Sequence, residues 1–397
     1  MKTFQEYWRE YRSDLIMVVF FFLCSVALFL IEPFHTAASP PGGEKVRGRV
    51  VAVDNAGVER HGMVTAGVQL VTLKILDGHW RGRELRGANS LLGRADVDKL
   101  FAPGDVAWTA IKPQPGGAPP AVNAQDHYRI GKEIWLFGLF ALLLVVFSGW
   151  VGVKSLLSFV FTCLVIWRLV VPLCLRGYHP ILVSLGAVLL LAAAIIYLVA
   201  GCNDKGTTAC CGAVAGVLAS CLLGLLFTHA FRIDGAVMPY SQALFFAGFE
   251  YLDLTDIYIG GIYLASSGAV MDLAMDVAAG MKEVITQRPD LPRRELMWSG
   301  IRIGRTVVGT MTTTLLLAYS GGYLTMIMTF AAEGVGTPDF MNYPYVAAEA
   351  AKTLVGSIGL VLVAPFTAVV GAILLRPERD GGAAAAARPS KVATGGR

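Results

Sequence analysis

The sequence predicts an α-helical polytopic membrane protein of about eight transmembrane helices, carrying a small all-β extracytoplasmic domain. Three observations predict it. Of 397 residues, 55% are hydrophobic and only 16% charged, well below the charged share of an ordinary soluble domain. The mean hydropathy of +0.59 is concentrated in apolar runs long enough to cross hydrocarbon. One stretch near the N-terminus departs from this pattern, with short β-branched runs separated by Gly and Asn/Asp turns.

Residues 1–34 comprise a cytoplasmic stub of mixed charge and a first anchor, the continuous apolar run Leu15 to Ile31. That run is longer than a usual signal-peptide core, so an uncleaved anchor is expected despite the cleavage-like "HTAAS" at 35–39. Residues 35–132 form the extracytoplasmic β domain and its linker. "VRGRVVAV", "AGVQLVTLKIL", "GRELRG" and "GDVAWTAI" read as strands of an OB-like barrel or a small barrel or sandwich. "KPQPGGAPPAV" leads back to the membrane. His61 and His79, with His35 and His127 at the margins, lack metal-ligand spacing.

Residues 133–376 form the multi-span domain, with spans near 133–149, 153–172, 179–200, 207–229, 255–281, 296–319 and 346–375. Trp135, Trp150, Trp167 and Trp298 fall near span ends, as interfacial anchors do. Residues 230–254 read as an external loop followed by a short interfacial helix. Residues 320–334 are too short for an ordinary span and read as a re-entrant or interfacial piece. Residues 377–397 form a low-complexity, disordered cytoplasmic tail.

Orientation follows from lysine and arginine. Lys154, Lys205, Lys282, Arg288, Arg293 and Arg294 collect on one side, joined by tail residues such as Arg376 and Arg379. The short loops opposite hold only Arg176 and Arg232. Both termini are therefore expected in the cytoplasm of a bacterial inner or plasma membrane. The seven cysteines lie in spans or at their edges and read as buried apolar residues. A net charge of +4 gives no reason to expect nucleic acid.

The chemistry is expected where polar residues enter the spans. Asp272 and Asp276 are four apart and share a helical face. Asp272 lies about 14 Å from the cytoplasmic end of its span at 1.5 Å per residue. Arg302 and Arg305 stand in the first turns of the next span, in the same leaflet. Desolvation favours the neutral acid and a nearby guanidinium favours the carboxylate, so such a cluster can switch protonation along a proton or cation path. A static Asp–Arg pair is the structural alternative. Arg302, Thr306, Gly309 and Thr313 line one face, and Thr310 belongs to the same threonine-rich run; interhelical packing is the plainer role for any one threonine. Glu349 and Lys352 carry charge into the last span. Gly212–Gly216 and Gly300–Gly304 are small-xxx-small pairs that read as packing contacts.

"SSGAVMDLAMDVAAGMKEV", "SGIRIGRTVVGTMTTTLLLAYSGG" and "LVGSIGLVLVAPFTAVVGAIL" closely resemble the YibE/F family of bacterial membrane proteins. That resemblance covers roughly residues 130–376 and implies a permease without naming its substrate. A more limited likeness, through "RT..GT.TT.L..AYSGG" and the final Gly- and Pro-bearing span, is to the transmembrane repeats of SecDF and other RND proteins. It implies that Asp272 or Asp276 carries protons with Arg302 or Arg305 as partner. It further implies that one copy needs self-association or a paired membrane protein. Two extra spans and an unrelated external domain depart from that pattern.

The function expected is a permease for an unknown small solute or ion, coupled to protons or another cation through Asp272, Asp276, Arg302 and Arg305. Its partners are the bilayer and a second copy or paired membrane protein, without a cofactor. The alternative is a SecDF-like accessory factor that assists exported proteins through its external domain. An open apolar groove on that domain would favour the accessory factor and a closed barrel the transporter. An enzyme is not expected, because no HExxH, Gly-x-Gly-Asp, Ser-x-x-Lys or nucleophile elbow occurs.

Overall fold

The computed structural model describes residues 4–31, 43–62, 64–94, 97–114 and 118–375. The expectations for His35, the "HTAAS" site and the 377–397 tail lie outside the described residues. The chain divides into two compact units, Phe34–Phe147 and Met1–Pro33 with Ser148–Arg397.

The first unit is a β-barrel. Its strands are β1 (Glu44–Asp54), β2 (Val58–His61), β3 (Val64–Ile75), β4 (Glu84–Leu92), β5 (Val106–Lys112) and β6 (Ala121–His127). Strand β1 pairs with both β3 and β5, β3 pairs with β4, and β6 pairs with β5 and β4, which closes a ring. Only β2, a short hairpin partner of β3, stands outside it. A register shift between Val50 and Ala52 lets β1 bend between its two neighbours. The last joint is the slightest: β4 meets β6 in parallel through one residue pair, Ala88 with Asn123. Gly87 permits that approach, since a Cβ there would lie 2.8 Å from Val122.

Alternation along the strands fills the barrel with Val46, Val71, Leu73, Ile75, Ile111 and Val122. Two amides join this core, Gln69 and Asn89. Gln69 Nε2 donates to Asn55 Oδ1 (2.8 Å) and to the Phe101 carbonyl (2.9 Å). Its Oε1 accepts from Phe101 N (3.0 Å) and Asn89 Nδ2 (3.1 Å). Every donor and acceptor of Gln69 is therefore used, and the loop carrying Phe101 is fixed to the barrel.

Helix α1 spans Phe4–Leu30 and α2 spans Ile130–Val165. The two expected spans 133–149 and 153–172 meet in α2, which is broken at Gly149 (φ 55°, ψ −128°). It then runs through a π-helical turn, Ile166–Val170, into α3 (Val171–Leu175). There follow α4 (Pro180–Ala200), α5 (Asp204–Ala230), α6 (Ser241–Phe246), α7 (Leu254–Gln287) and α8 (Arg293–Ser320). The last three are α9 (Leu324–Ala332), α10 (Thr337–Asn342) and α11 (Pro344–Leu374). Among the described residues six helices are long and apolar enough to cross a membrane, and Asp14–Leu30 is a shorter apolar helix. The stretch 320–334 is no isolated piece: a 3-10 turn, Gly321–Tyr323, carries α8 directly into α9.

Local chemistry explains the helix starts. The Asn203 side chain accepts from Gly206 N (2.8 Å) at α5, and Asp253 accepts from Thr255 N and Asp256 N at α7. Pro180 and Pro344 open α4 and α11, where a missing N–H costs nothing.

Helices α5, α7 and α11 form the centre of the second unit, with α4 and α8 packed on them. Glycine sets the spacing. A Cβ at Gly212 would overlap Thr367, one at Gly216 would lie 2.9 Å from Val363, and one at Gly359 would overlap Ser220 Oγ. On α8, Gly300 faces Met281 and Ala368, and a Cβ at Gly304 would lie 2.6 Å from Ala364. Both small-xxx-small pairs thus lie in helix contacts. At the start of the unit, Lys154 Nζ donates to Asp14 Oδ2 (2.9 Å), tying α1 to the second half of α2. That ammonium group is nearly enclosed, with the Lys154 side chain 7% exposed.

Candidate functional site

Two polar groups sit on the apolar helices of the second unit. The first consists of residues read from the sequence. On α7 the core side is almost continuous, from Tyr258 through Met281 to Ile285. The opposite side is a narrow exposed stripe of Gly261, Ala265, Gly268, Asp272 and Asp276. Both carboxylates therefore share one face, and that face looks away from the core.

Helix α8 is buried only along Leu296, Gly300 and Gly304. Arg302, Arg305, Thr306, Thr310 and Thr313 are exposed. The two helices run antiparallel, with Gly280 against Ile303 and Gly304 against Val277. This register sets Asp276 level with Arg305 and Thr306. It does not join the charges: among the described residues no ion pair within 4.0 Å links Asp272 or Asp276 to Arg302 or Arg305. Arg302 Nε instead donates to the Trp298 carbonyl on its own helix (3.4 Å). Thr306, Thr310, Thr312 and Thr314 donate to carbonyls three or four residues earlier, which leaves their oxygens free to accept.

The second group is closed and contains residues that the sequence reading assigned no role. Glu349 and Lys352, one turn apart on α11, form an ion pair at 3.3 Å. Tyr323, in the 3-10 turn after α8, donates its hydroxyl to the Glu349 carboxylate. Lys352 Nζ donates to the same tyrosine oxygen (3.3 Å) and lies 5.6 Å from the Tyr319 ring centroid, within cation–π range. The Tyr319 hydroxyl is buried with no hydrogen-bond partner. A cleft of 260 Å³ adjoins the group, bounded by Leu316, Ser320, Tyr323, Phe340, Glu349 and Thr353. Tyr319 and Tyr323 were findable: they are four residues apart at the end of the polar helix, in "AYSGGY", so they share a face.

Elsewhere in this unit His179 on the α4 side and Asp256 on α7 approach to 3.3 Å. Among the described residues no three His, Cys, Asp or Glu side chains are grouped to hold a metal ion. In the barrel unit, hydrogen bonding from Arg47 (2.5 and 2.8 Å) holds the Asp77 carboxyl below the usual carboxylate range.

No curated protein and no solved structure matches the chain. Residues 136–377 match the family model described as YibE/F-like protein, a stretch that contains both polar groups and more than half of the chain. The chain belongs to the YibE/F-like protein family.

Proposed function

We propose that this is a multi-pass permease of a bacterial inner membrane, moving a small solute or ion with proton or cation coupling. One observation carries the reading. Asp272 and Asp276 lie mid-helix on an apolar bundle, Asp276 level with Arg305 and Thr306 and Asp272 with Gly309 and Thr310, and neither pairs with an arginine among the described residues. Ionisable groups are retained at such depth where they line a path or a wet cavity. The Glu349–Tyr323–Lys352 group, with its orphaned Tyr319 hydroxyl, is a second station, on α11 and the end of α8. Counting both halves of the broken α2 run and the short Asp14–Leu30 helix gives eight crossings. That even number agrees with both termini on the lysine- and arginine-rich cytoplasmic side.

The barrel also supports a permease over an export factor that binds unfolded chains by strand addition. Its ring order, β1-β3-β4-β6-β5 with one parallel joint, is OB-like and offers few free edges. The second reading, an accessory factor for exported proteins, draws support from Val51, Val68 and Leu70, which the barrel leaves exposed.

Flux in proteoliposomes containing a pH-sensitive dye tests the permease reading under an imposed pH or potential gradient, with several cations in turn. We expect flux that Asp272→Asn or Asp276→Asn lowers at least tenfold. Folded, oriented protein that passes nothing under any gradient would overturn it.

A further inference from the structure

The charged stripes of α7 and α8 face outward from their own bundle, and in a bilayer outward means lipid unless something covers them. On translocon-derived scales one Asp or Arg at mid-membrane costs about 2.5–3.5 kcal/mol. Two unpaired carboxylates on one face therefore create a strong bias toward a covering surface. The threonines of α8 place no such demand, because their hydroxyls already bond to their own helix. With Gly309 among them, they leave room for another helix to approach closely.

The charges identify the covering surface. Helix α7 presents two negative groups, Asp272 and Asp276, and α8 presents two positive ones, Arg302 and Arg305. A patch with both signs on two adjacent helices is complementary to itself when turned by a two-fold axis. An axis along the membrane normal keeps every residue at its own depth, so each carboxylate must find its partner at that depth. The α7–α8 register satisfies this requirement for one pair, since the contacts of Gly280 with Ile303 and Val277 with Gly304 set Asp276 level with Arg305, while Asp272 lies level with Gly309 and Thr310.

We propose that two copies of this chain pack α7 and α8 of one against α7 and α8 of the other. Each copy supplies Arg305 to the Asp276 of its partner, and the Gly309–Thr310 stretch of α8 covers the partner's Asp272. The carboxylate site is thus completed between copies. This rests on the membrane-spanning reading but not on transport, because its readout is assembly.

The test uses full-length protein in lipid nanodiscs, with oligomeric state read by native mass spectrometry from two differently tagged chains. Wild-type protein is expected to be dimeric. Asp272→Arg with Asp276→Arg in one chain, or Arg302→Asp with Arg305→Asp in the other, should each lower the homodimer fraction more than tenfold. Mixing the two variants should restore a heterodimer, since each then meets opposite charge at both contacts. A monomeric wild type, covered by lipid or a different protein, overturns the inference, as do reversal variants that dimerise like wild type.

If a reversal variant fails to fold, cysteine cross-linking without charge changes serves instead, with the native cysteines replaced by serine. Thr310→Cys should cross-link between copies and Leu222→Cys, exposed on α5, should not; the opposite pattern overturns the proposal. A dimer that carries no flux refutes only the permease reading, and a monomer that carries flux refutes only this one.

Discussion

Replacing Gln69 with leucine removes four hydrogen bonds while keeping nearly the same volume. In the folded barrel the change leaves the Phe101 N–H, the Phe101 carbonyl and one Asn89 N–H without partners. Phe101 and Asn89 are buried, at 3% and 2% exposure, so water cannot easily replace the lost bonds. Each stranded group costs about 1–3 kcal/mol. Three of them, with some relaxation, give about 3–6 kcal/mol, a large part of the roughly 5–15 kcal/mol that holds a typical domain together. Hydrogen exchange by mass spectrometry on the full chain in nanodiscs reads this out in peptides covering β3, β4 and β5. Protection there should fall by about 100-fold or more, at one decade per 1.4 kcal/mol, while α7 and α11 keep theirs. Protection in β3 and β4 within tenfold of wild type would refute the account of Gln69 as the fastening of the Phe101 loop.

Further outcomes follow from the same contacts. Gly359→Ala places a methyl group on Ser220 Oγ and should lower stability by about 1–3 kcal/mol. Adding Ser220→Ala removes the obstructing oxygen and should recover most of the loss in a thermal-shift assay. Lys154→Met leaves Asp14 without its partner and should cost about 3 kcal/mol, whereas Lys154→Met with Asp14→Leu should cost less, because stranding one charge is worse than removing both. The Asp98 carboxylate accepts from Leu92 N (2.9 Å) and Arg94 N (2.6 Å), and these bonds hold its pKa below the usual value. A depressed carboxyl stabilises the fold above the unfolded pKa of about 3.9, and that contribution disappears as pH falls through the folded value. Exchange protection at Leu92 and Arg94 should therefore drop in acid below about pH 4, and Asp98→Asn should flatten the drop.

Much of this architecture was legible because its causes are local. Apolar run length announced α4, α5, α7 and α11, and β-branched alternation announced β1, β3 and β5. The four-residue spacing of Asp272 and Asp276 correctly put them on one face. Which way that face looks was not legible, since a helix records its own periodicity but not which neighbours cover it. Barrel and sandwich both stayed open in the sequence for a similar reason: β4 and β6 meet across about thirty residues through backbone pairing that side-chain pattern barely constrains. Lys154 and Asp14 are 140 positions apart, and Tyr323 reaches Glu349 only because the 3-10 turn carries the chain on from α8. The stretch 320–334 reads as a re-entrant or interfacial piece because it is too short for a span by itself, whereas Gly321 and Gly322 adopt helical turns that carry α8 on into α9.

The slender β4–β6 joint has a consequence for how copies of the protein behave when crowded. It is the one place where the barrel can unzip while its other ladders stay intact. Unzipping would bare two strand edges, each able to accept the equivalent strand from a neighbouring molecule. A side chain at Gly87 would push Val122 away and favour that exchange. Gly87→Val should therefore turn a self-contained barrel into one that trades its last strand with its neighbours, visible as barrel-linked ladders on a native gel.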